Sequence, residues 1–322
     1  MQSDQPGRNW RPVAEIRTLQ QRADLLTAIR QFMATRAILE VETPILSQAA
    51  VSDPALESFQ VETQAATMYL QTSPEFSMKR LLAAGSGPIY QLARVFRDDE
   101  RSRLHQPEFT LLEWYRPGFG VNDMLAEIDM LLLELGLPAA KRLSYAELFE
   151  QHLHCNPHTA SHEQLQTLAS QHGLYGTGYS QSALLDFLFS HCLIPALTDQ
   201  GSVIITDFPA LQAALARLRC VEQAGHPSVA ERFELFVHGI EIGNGFHELT
   251  DAVEQRQRFL RDQATRQSAQ QKQRPLDEHL LAALVHGMPA SCGMAIGVDR
   301  LLMALHGIDH IDHAVAFPVE RA

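Results

Sequence analysis

Three widely separated segments carry residue types that could bind and activate a phosphorylated substrate. In the first, Val95-Phe96-Arg97-Asp98-Asp99-Glu100 runs into Arg101, Arg103 and His105, and Pro107-Glu108-Phe109-Thr110-Leu111-Leu112-Glu113-Trp114-Tyr115 follows. A strand delivering Arg97, a charged loop and a returning strand with Phe109 would set a guanidinium near an aromatic face. The planar fork of arginine suits a phosphate, and a ring can stack on a purine. Taken alone, a charge-rich surface hairpin with ordinary ion pairs explains the same residues more simply.

The second segment, Gly239-Ile240-Glu241-Ile242-Gly243-Asn244-Gly245-Phe246-His247-Glu248, places two carboxylates around a Gly-rich turn. Such carboxylates are hard oxygen ligands suited to Mg²⁺ on a nucleotide, and either could hold an ammonium group instead. The third is Gly293-Met294-Ala295-Ile296-Gly297-Val298-Asp299-Arg300, where small residues permit close backbone approach and Arg300 falls in the first turn of a helix. Free amides and the helix dipole there add to its attraction for a phosphate. Each segment is weak evidence alone; their order along the chain is informative.

These residues must be positioned by elements of two periods. Ile16, Leu19, Ala23, Leu26, Ile29 and Met33 recur at helical spacing, and the helix ends near Arg36 before an extended piece closed by Pro44. Strands are expected over Met68–Gln71, Ile89–Phe96, Phe109–Tyr115, Val203–Thr206, Phe233–Ile242 and Met294–Ile296, mainly in one antiparallel sheet. Helices are expected over Glu75–Ala84, Val121–Leu135, Gln181–Leu193, Asp251–Gln271 and Val298–Leu305, so the fold class is α+β. The His- and Gln-rich stretch from about 140 to 202 reads as a helical insertion, and the polar run Gln263–Pro275 as a solvated helix end and mobile loop.

The 322 residues, 45% hydrophobic, are those of an enzyme-sized globular chain. Against 38 acidic residues stand 26 basic ones, for a formal charge of -12, so bulk charge gives no attraction for nucleic acid. No apolar run reaches the ~20 residues needed to span a bilayer, and the polar N-terminus shows no secretory signal, which makes the cytoplasm the expected location. Cys155, Cys192, Cys220 and Cys292 lie far apart and are expected to be reduced and mostly buried. His152, His154, Cys155, His158 and His162 have metal-ligand chemistry, but no second converging piece completes a zinc site, and a solvated insertion is the simpler reading.

Taken together, the segments resemble the catalytic domain of class II aminoacyl-tRNA synthetases. Phe32–Pro44 is similar to motif 1, Phe96–Tyr115 to motif 2 and Gly293–Arg300 to motif 3. Thr72-Ser73-Pro74-Glu75-Phe76-Ser77-Met78-Lys79-Arg80-Leu81, Glu231-Arg232-Phe233-Glu234-Leu235 and Glu241-Ile242-Gly243-Asn244-Gly245-Phe246 resemble the lysyl branch. The resemblance covers residues 15–322 as one catalytic domain behind a flexible N-terminus, 1–14. An anticodon-reading OB-fold domain finds no room before the motif 1 helix. The chain is therefore most similar to truncated lysyl-synthetase paralogues that join (R)-β-lysine to elongation factor P, with Ala295 at the middle glycine of motif 3 as in those ligases.

That resemblance implies a set of roles. Arg97 would hold the α-phosphate of ATP and Arg300 the γ-phosphate, as the catalytic pair. Asp98, Asp99, His105, Gln106, Phe109, Ile242 and Gly297 would approach the nucleotide, with Phe109 on adenine. Glu241 would bind Mg²⁺, with Glu248 as a second ligand; Tyr115 and Glu248 would receive the distal ammonium of the amino acid; and Ser73, Pro74, Glu75, Asn244 and Ala295 would line its pocket. Asp99 stands where motif 2 has Glu, and Gln106 where Asn is usual. The implied partners are ATP, (R)-β-lysine, elongation factor P and a second copy of the chain, with neither tRNA nor membrane. The rival readings are a minimal lysyl-tRNA synthetase acting on α-lysine, and an inactive paralogue serving as a regulatory module.

Overall fold

The structure, a computed structural model, describes residues 10–98, 101–220 and 228–322. In chain order its elements are α1 (Ile16–Thr35), β1 (Leu39–Glu40), β2 (Leu46–Ser47), β3 (Gln60–Glu62), β4 (Thr67–Leu70), α2 (Glu75–Ala83), β5 (Ile89–Phe96), β6 (Glu108–Pro117) and α3 (Val121–Glu134). Then come β7 (Lys141–Ser144), α4 (Tyr145–Leu153), α5 (His162–Gln171), α6 (Gln181–Leu188), β8 (Ser202–Pro209), β9 (Leu218–Arg219), β10 (Val229–Val237) and β11 (Ile240–His247). Last are α7 (Ala252–Ser268), α8 (Glu278–His286), β12 (Ser291–Gly297) and α9 (Val298–His306). The class is α+β, as the sequence indicates. Among the described residues no helix is long and apolar enough to cross a membrane.

Contacts divide the chain into two compact units. The first holds the residues up to Trp114, Arg256–Met288 and Ile296–Ala322. In it α1 buries Leu25, Ile29, Phe32 and Met33, and β1 pairs parallel with β5 through Leu39↔Ile89 and Glu40↔Tyr90. A separate antiparallel sheet runs β2-β4-β3. Val13 donates its amide to Ala316 O at 2.9 Å, so the chain is already anchored ahead of α1.

The motif 1 and motif 3 helices are joined in this unit by one buried carboxylate. Asp299 in α9 accepts from Arg22 Nη1 of α1 at 2.6 Å and from the Thr110 amide of β6 at 2.8 Å, while Arg22 Nη2 donates to Thr110 Oγ1 at 2.8 Å. Removing the charge leaves the half-buried Arg22 guanidinium without its counter-charge, so Asp299→Asn is expected to cost about 1–3 kcal/mol in urea unfolding. A loss under about 0.5 kcal/mol would show that this network does not hold the helices.

The second unit comprises Tyr115–Gln255 and Pro289–Ala295. Its strands follow the order β12-β11-β10-β8-β7, with β9 on β10. β10 is antiparallel to both β11 and β8, and β7 runs parallel to β8. The sequence reads Phe233–Ile242 as a single strand; it is instead the inner part of a β10–β11 hairpin. His238 and Gly239 both take positive φ, 51° and 73°, which is the backbone of a tight reversal matched to strand twist.

The stretch from 140 to 202 folds as α4, α5 and α6 over β8 and β10. Tyr145 stacks on Phe149 and Phe189 at 4.7 and 5.0 Å between ring centroids, and Phe208 and Phe236 close the same cluster. α6 stops at Leu188; a π turn over Phe189–Leu193 and a 3₁₀ turn over Ile194–Gln200 replace its expected extension. Ser144 caps α4 and exchanges bonds with Glu147, the reciprocal box that starts a helix abruptly.

One sequence expectation is corrected and another refined. Of the cysteines only Cys292 is buried; Cys155 and Cys192 are half-buried and Cys220 is exposed. The polar run Gln263–Pro275 is a largely exposed helix end and loop, as expected, with α7 ending at Ser268, but Arg266 and Arg274 within it are buried. These two are tolerated inside the unit because Arg266 and the Nη groups of Arg274 find carbonyl and carboxylate partners.

Candidate active site

In the first unit β5 delivers Arg97 at its end. The Arg97 amide donates to Pro107 O at 2.8 Å, which closes the loop between β5 and β6. Its guanidinium lies 5.1 Å from the centre of the Phe109 ring, bringing together the cation and the aromatic face expected for a nucleotide. Farther along the same loop, Arg300 Nε donates to Leu104 O at 3.1 Å, and Arg300 Nη2 meets His105 Nε2 at 2.5 Å. His105 Nδ1 is in turn 2.7 Å from Ser102 Oγ. Arg300 is the third residue of α9, after Gly297 at its N-cap, so unbonded amides of the first turn accompany its charge.

Gln106, expected near the nucleotide, bonds to the C-terminal segment. It is buried, donates from Nε2 to Asp312 Oδ1 at 2.5 Å and accepts from the Val319 amide at 3.3 Å. Its amide therefore ties the motif 2 loop to the C-terminal segment, as Arg101 does through Asp312 and Glu320. Asp98 donates its amide to Glu57 O at 2.9 Å. Asp99 lies outside the described residues.

Ser73 and Pro74 lead into α2, whose first residue is Glu75. Lys79, only 2% exposed, reaches back one turn to Glu75 Oε1 at 2.7 Å. A buried ammonium at this spacing keeps the carboxylate oriented.

In the second unit two of the residues expected at the amino acid gather around a glycine. A Cβ built on Gly293 would stand 2.5 Å from both Glu248 Oε1 and Tyr115 Cε1, so carboxylate and phenol ring converge on this one backbone position. Glu248 and Tyr115 are 2% and 3% exposed, and the Glu248 amide donates to Ser291 O at 2.9 Å. Burial first, and then the charge of Glu248, push the Cys292 thiol up. A buried carboxylate beside a phenol ring is a receptor for an ammonium. Ile242 is buried, and Ala295 is half-buried in β12.

The carboxylate that responds to Glu241 is Glu234, a residue the motif pattern leaves without a role. Burial and the charge of Glu241 push the Glu234 carboxyl up to about 7, against the pull of Arg232, whose Nη2 donates to Glu234 Oε1 at 2.5 Å. Glu234 also faces Asn244 across the β10–β11 register. Glu241 itself, half-buried on β11, offers the hard oxygen donor that Mg²⁺ takes. Among the described residues no group of three or more His, Cys, Asp or Glu is gathered as a metal site. A legible signal for Glu234 existed: an acid flanked by Phe233 and Leu235 within a strand pattern.

Comparison with known proteins follows the same lines. Residues 10–321 match the family described as tRNA synthetases class II (D, K and N). The elongation factor P–(R)-β-lysine ligase of Edwardsiella ictaluri is 45% identical over 98% of this chain and 98% of its own length. The proteins of the same name from Pseudoalteromonas translucida and Haemophilus influenzae strain PittGG are 46% and 42% identical over 97% and 98% of this chain, and each is covered to 98%.

Proposed function

The chain belongs to the class II tRNA synthetases (D, K and N), and from that premise we propose that it is an ATP-dependent ligase that activates (R)-β-lysine and transfers it to a lysine of elongation factor P. The observation that carries the reading is the near end-to-end likeness to ligases of that name, at 45% identity over 98% of both chains. The ammonium receptor of Glu248 and Tyr115 and the cation–ring pair of Arg97 and Phe109 are chemically consistent with it.

In the first step a carboxylate oxygen of β-lysine attacks the α-phosphorus of ATP and the bond to pyrophosphate breaks. The nucleophile is already an anion, so no general base is needed and positioning with charge stabilisation carries the rate. Arg97 steadies the α-phosphate with adenine on Phe109. Arg300 exchanges its His105 contact for the γ-phosphate. Glu248 and Tyr115 hold the distal ammonium, and Glu75, steadied by Lys79, takes the other amino group. Glu241, with Glu248, would hold Mg²⁺, whose charge offsets that of the triphosphate when bound. In the second step the ε-amine of the acceptor lysine attacks the acyl carbon, AMP leaves, and an amide forms with loss of the amine proton.

The active form is a homodimer through the motif 1 region, where Ile16, Leu39, Ile45 and Leu46 are exposed apolar residues. The test of the whole reading is ATP/pyrophosphate exchange with the two lysine isomers, followed by labelling of elongation factor P and of tRNA. The expected outcome is a preference of about tenfold or more for (R)-β-lysine, the scale of discrimination available to a pocket sensing a one-carbon shift, and label on the protein acceptor. Robust lysyl-tRNA formation without protein labelling would overturn it.

A further inference from the structure

The buried guanidiniums of Arg266 and Arg274 converge on one carboxylate of the first unit, and that residue is bonded to the backbone beside Arg97. Arg266 Nη2 pairs with Glu57 Oε1, and Arg274 Nη2 pairs with Glu57 Oε2 at 2.6 Å. Arg266 is fully buried and its remaining donors go to three main-chain carbonyls: Lys272 O at 3.0 Å, Asp53 O at 2.8 Å and Leu56 O at 3.2 Å. Arg274 lies 5.3 Å from the centre of the Tyr69 ring. Gln271 Nε2 donates to Pro54 O at 3.1 Å, and Gln263 Nε2 to Arg274 O at 2.8 Å. The end of α7 and the polar run after it are thus folded onto the 53–60 segment, held by side chains at several points.

From Glu57 the connection to the nucleotide residues is a single backbone step. Glu57 O accepts the Asp98 amide at 2.9 Å in an isolated antiparallel bridge, and the neighbouring Arg97 amide is fixed on its other side by Pro107 O at 2.8 Å. Consecutive amides anchored to two different loops define the direction in which the Arg97 side chain leaves the chain. Two cations on one carboxylate are costly to bury and are more than a loop needs for cohesion, whereas a bidentate, doubly braced carboxylate has one geometry. Held within a few tenths of an ångström, a charge-stabilising group contributes far more than a mobile one.

We propose that Glu57, clamped by Arg266 and Arg274, is a positioning residue that sets the Arg97–Asp98 backbone and so aims the Arg97 guanidinium at the nucleotide. The inference rests on the reading of Arg97 as an α-phosphate ligand. It assigns a role to the Gln-rich run between α7 and α8, which touches no substrate in that reading.

The experiment uses the full chain and two variants, Glu57→Gln, which keeps the backbone carbonyl and the side-chain shape but removes the charge, and Arg274→Lys, which keeps a cation on Glu57. Hydrogen–deuterium exchange of the peptide spanning 94–98, calorimetric titration with ATP and with (R)-β-lysine, and melting temperature are measured on each. For Glu57→Gln the expected result is at least about tenfold faster amide exchange in that peptide and about tenfold weaker ATP binding, with β-lysine affinity unchanged. Arg274→Lys is expected to fall within about threefold of the parent in both, a rescue that general loosening of the fold would not produce. Should Glu57→Gln fail to fold, Arg274→Gln supplies the same comparison with Glu57 intact. Unchanged ATP affinity in a folded variant overturns the clamp alone. Equal losses of ATP and β-lysine affinity also overturn it, as a merely structural effect. A parent chain that binds no ATP overturns the functional reading and the clamp with it.

Discussion

Gly293→Ala is expected to lower kcat/KM for the amino acid by two to three orders of magnitude in pyrophosphate exchange, with the protein still folded and ATP binding largely retained. The added methyl carbon would stand 2.5 Å from Glu248 Oε1 and from Tyr115 Cε1, and 2.7 Å from Tyr115 Cδ1, all nearer than non-bonded atoms sit. Neither neighbour can swing into solvent to make room, since both are buried and Tyr115 sits within β6. Overpacking of this kind costs about 1–3 kcal/mol in stability, which a domain tolerates. The larger loss is catalytic, because an ångström of displacement in a positioning group costs on the order of 100-fold. Exchange kinetics with varied β-lysine, set beside a urea melt, separate the two effects. A variant with wild-type KM and kcat would show that Glu248 and Tyr115 do not receive the substrate.

Arg300→Ala is expected to abolish amino-acid-dependent pyrophosphate exchange, a fall of about 10³-fold or more, since an arginine stabilising charge on a transferring phosphate is commonly worth that much. The fold should survive. Arg300 contributes bonds to Leu104 O and His105 on the motif 2 loop, whereas the attachment of α9 to the unit runs through Asp299 and the buried Leu301, Leu302 and Met303. Arg300→Lys should restore little, because a single ammonium cannot reproduce the fork that spans Leu104 O and a second acceptor. Exchange measured per active site, with circular dichroism as the control, checks this; unchanged exchange would remove Arg300 from the phosphate site.

How much of this was legible before the structure varies by physical kind. Helices with a clean apolar stripe were readable almost to the residue: α1 closes at Thr35 with Arg36 as its cap, and α9 begins after Gly297. Boundaries set by tertiary packing were not. The π turn after Leu188 continues a helical pattern that local periodicity could not distinguish from α-helix. The β10–β11 reversal at His238–Gly239 was hidden because apolar residues flank the turn on both sides. The burial of Arg266 and Arg274 within the polar run Gln263–Pro275 was not legible because it is sustained by bonds to partners more than 200 positions away in sequence.

The candidate site divides in the same way. Arg97, Phe109, Arg300, Tyr115 and Glu248 could be proposed from the sequence, since their chemistry is local to short motifs and each motif reads within one strand or one helix turn. Their order along the chain also sufficed to indicate the family. Only the tertiary structure decided which side chains act on one another. It set Glu248 and Tyr115 together over Gly293, gave Glu241 the neighbour Glu234, turned Gln106 toward Asp312 and Val319, and put Glu57 between two arginines. Those relations depend on strand register and on long-range loop contacts, and a one-dimensional pattern contains neither, because the forces that select them act across space between residues remote in sequence.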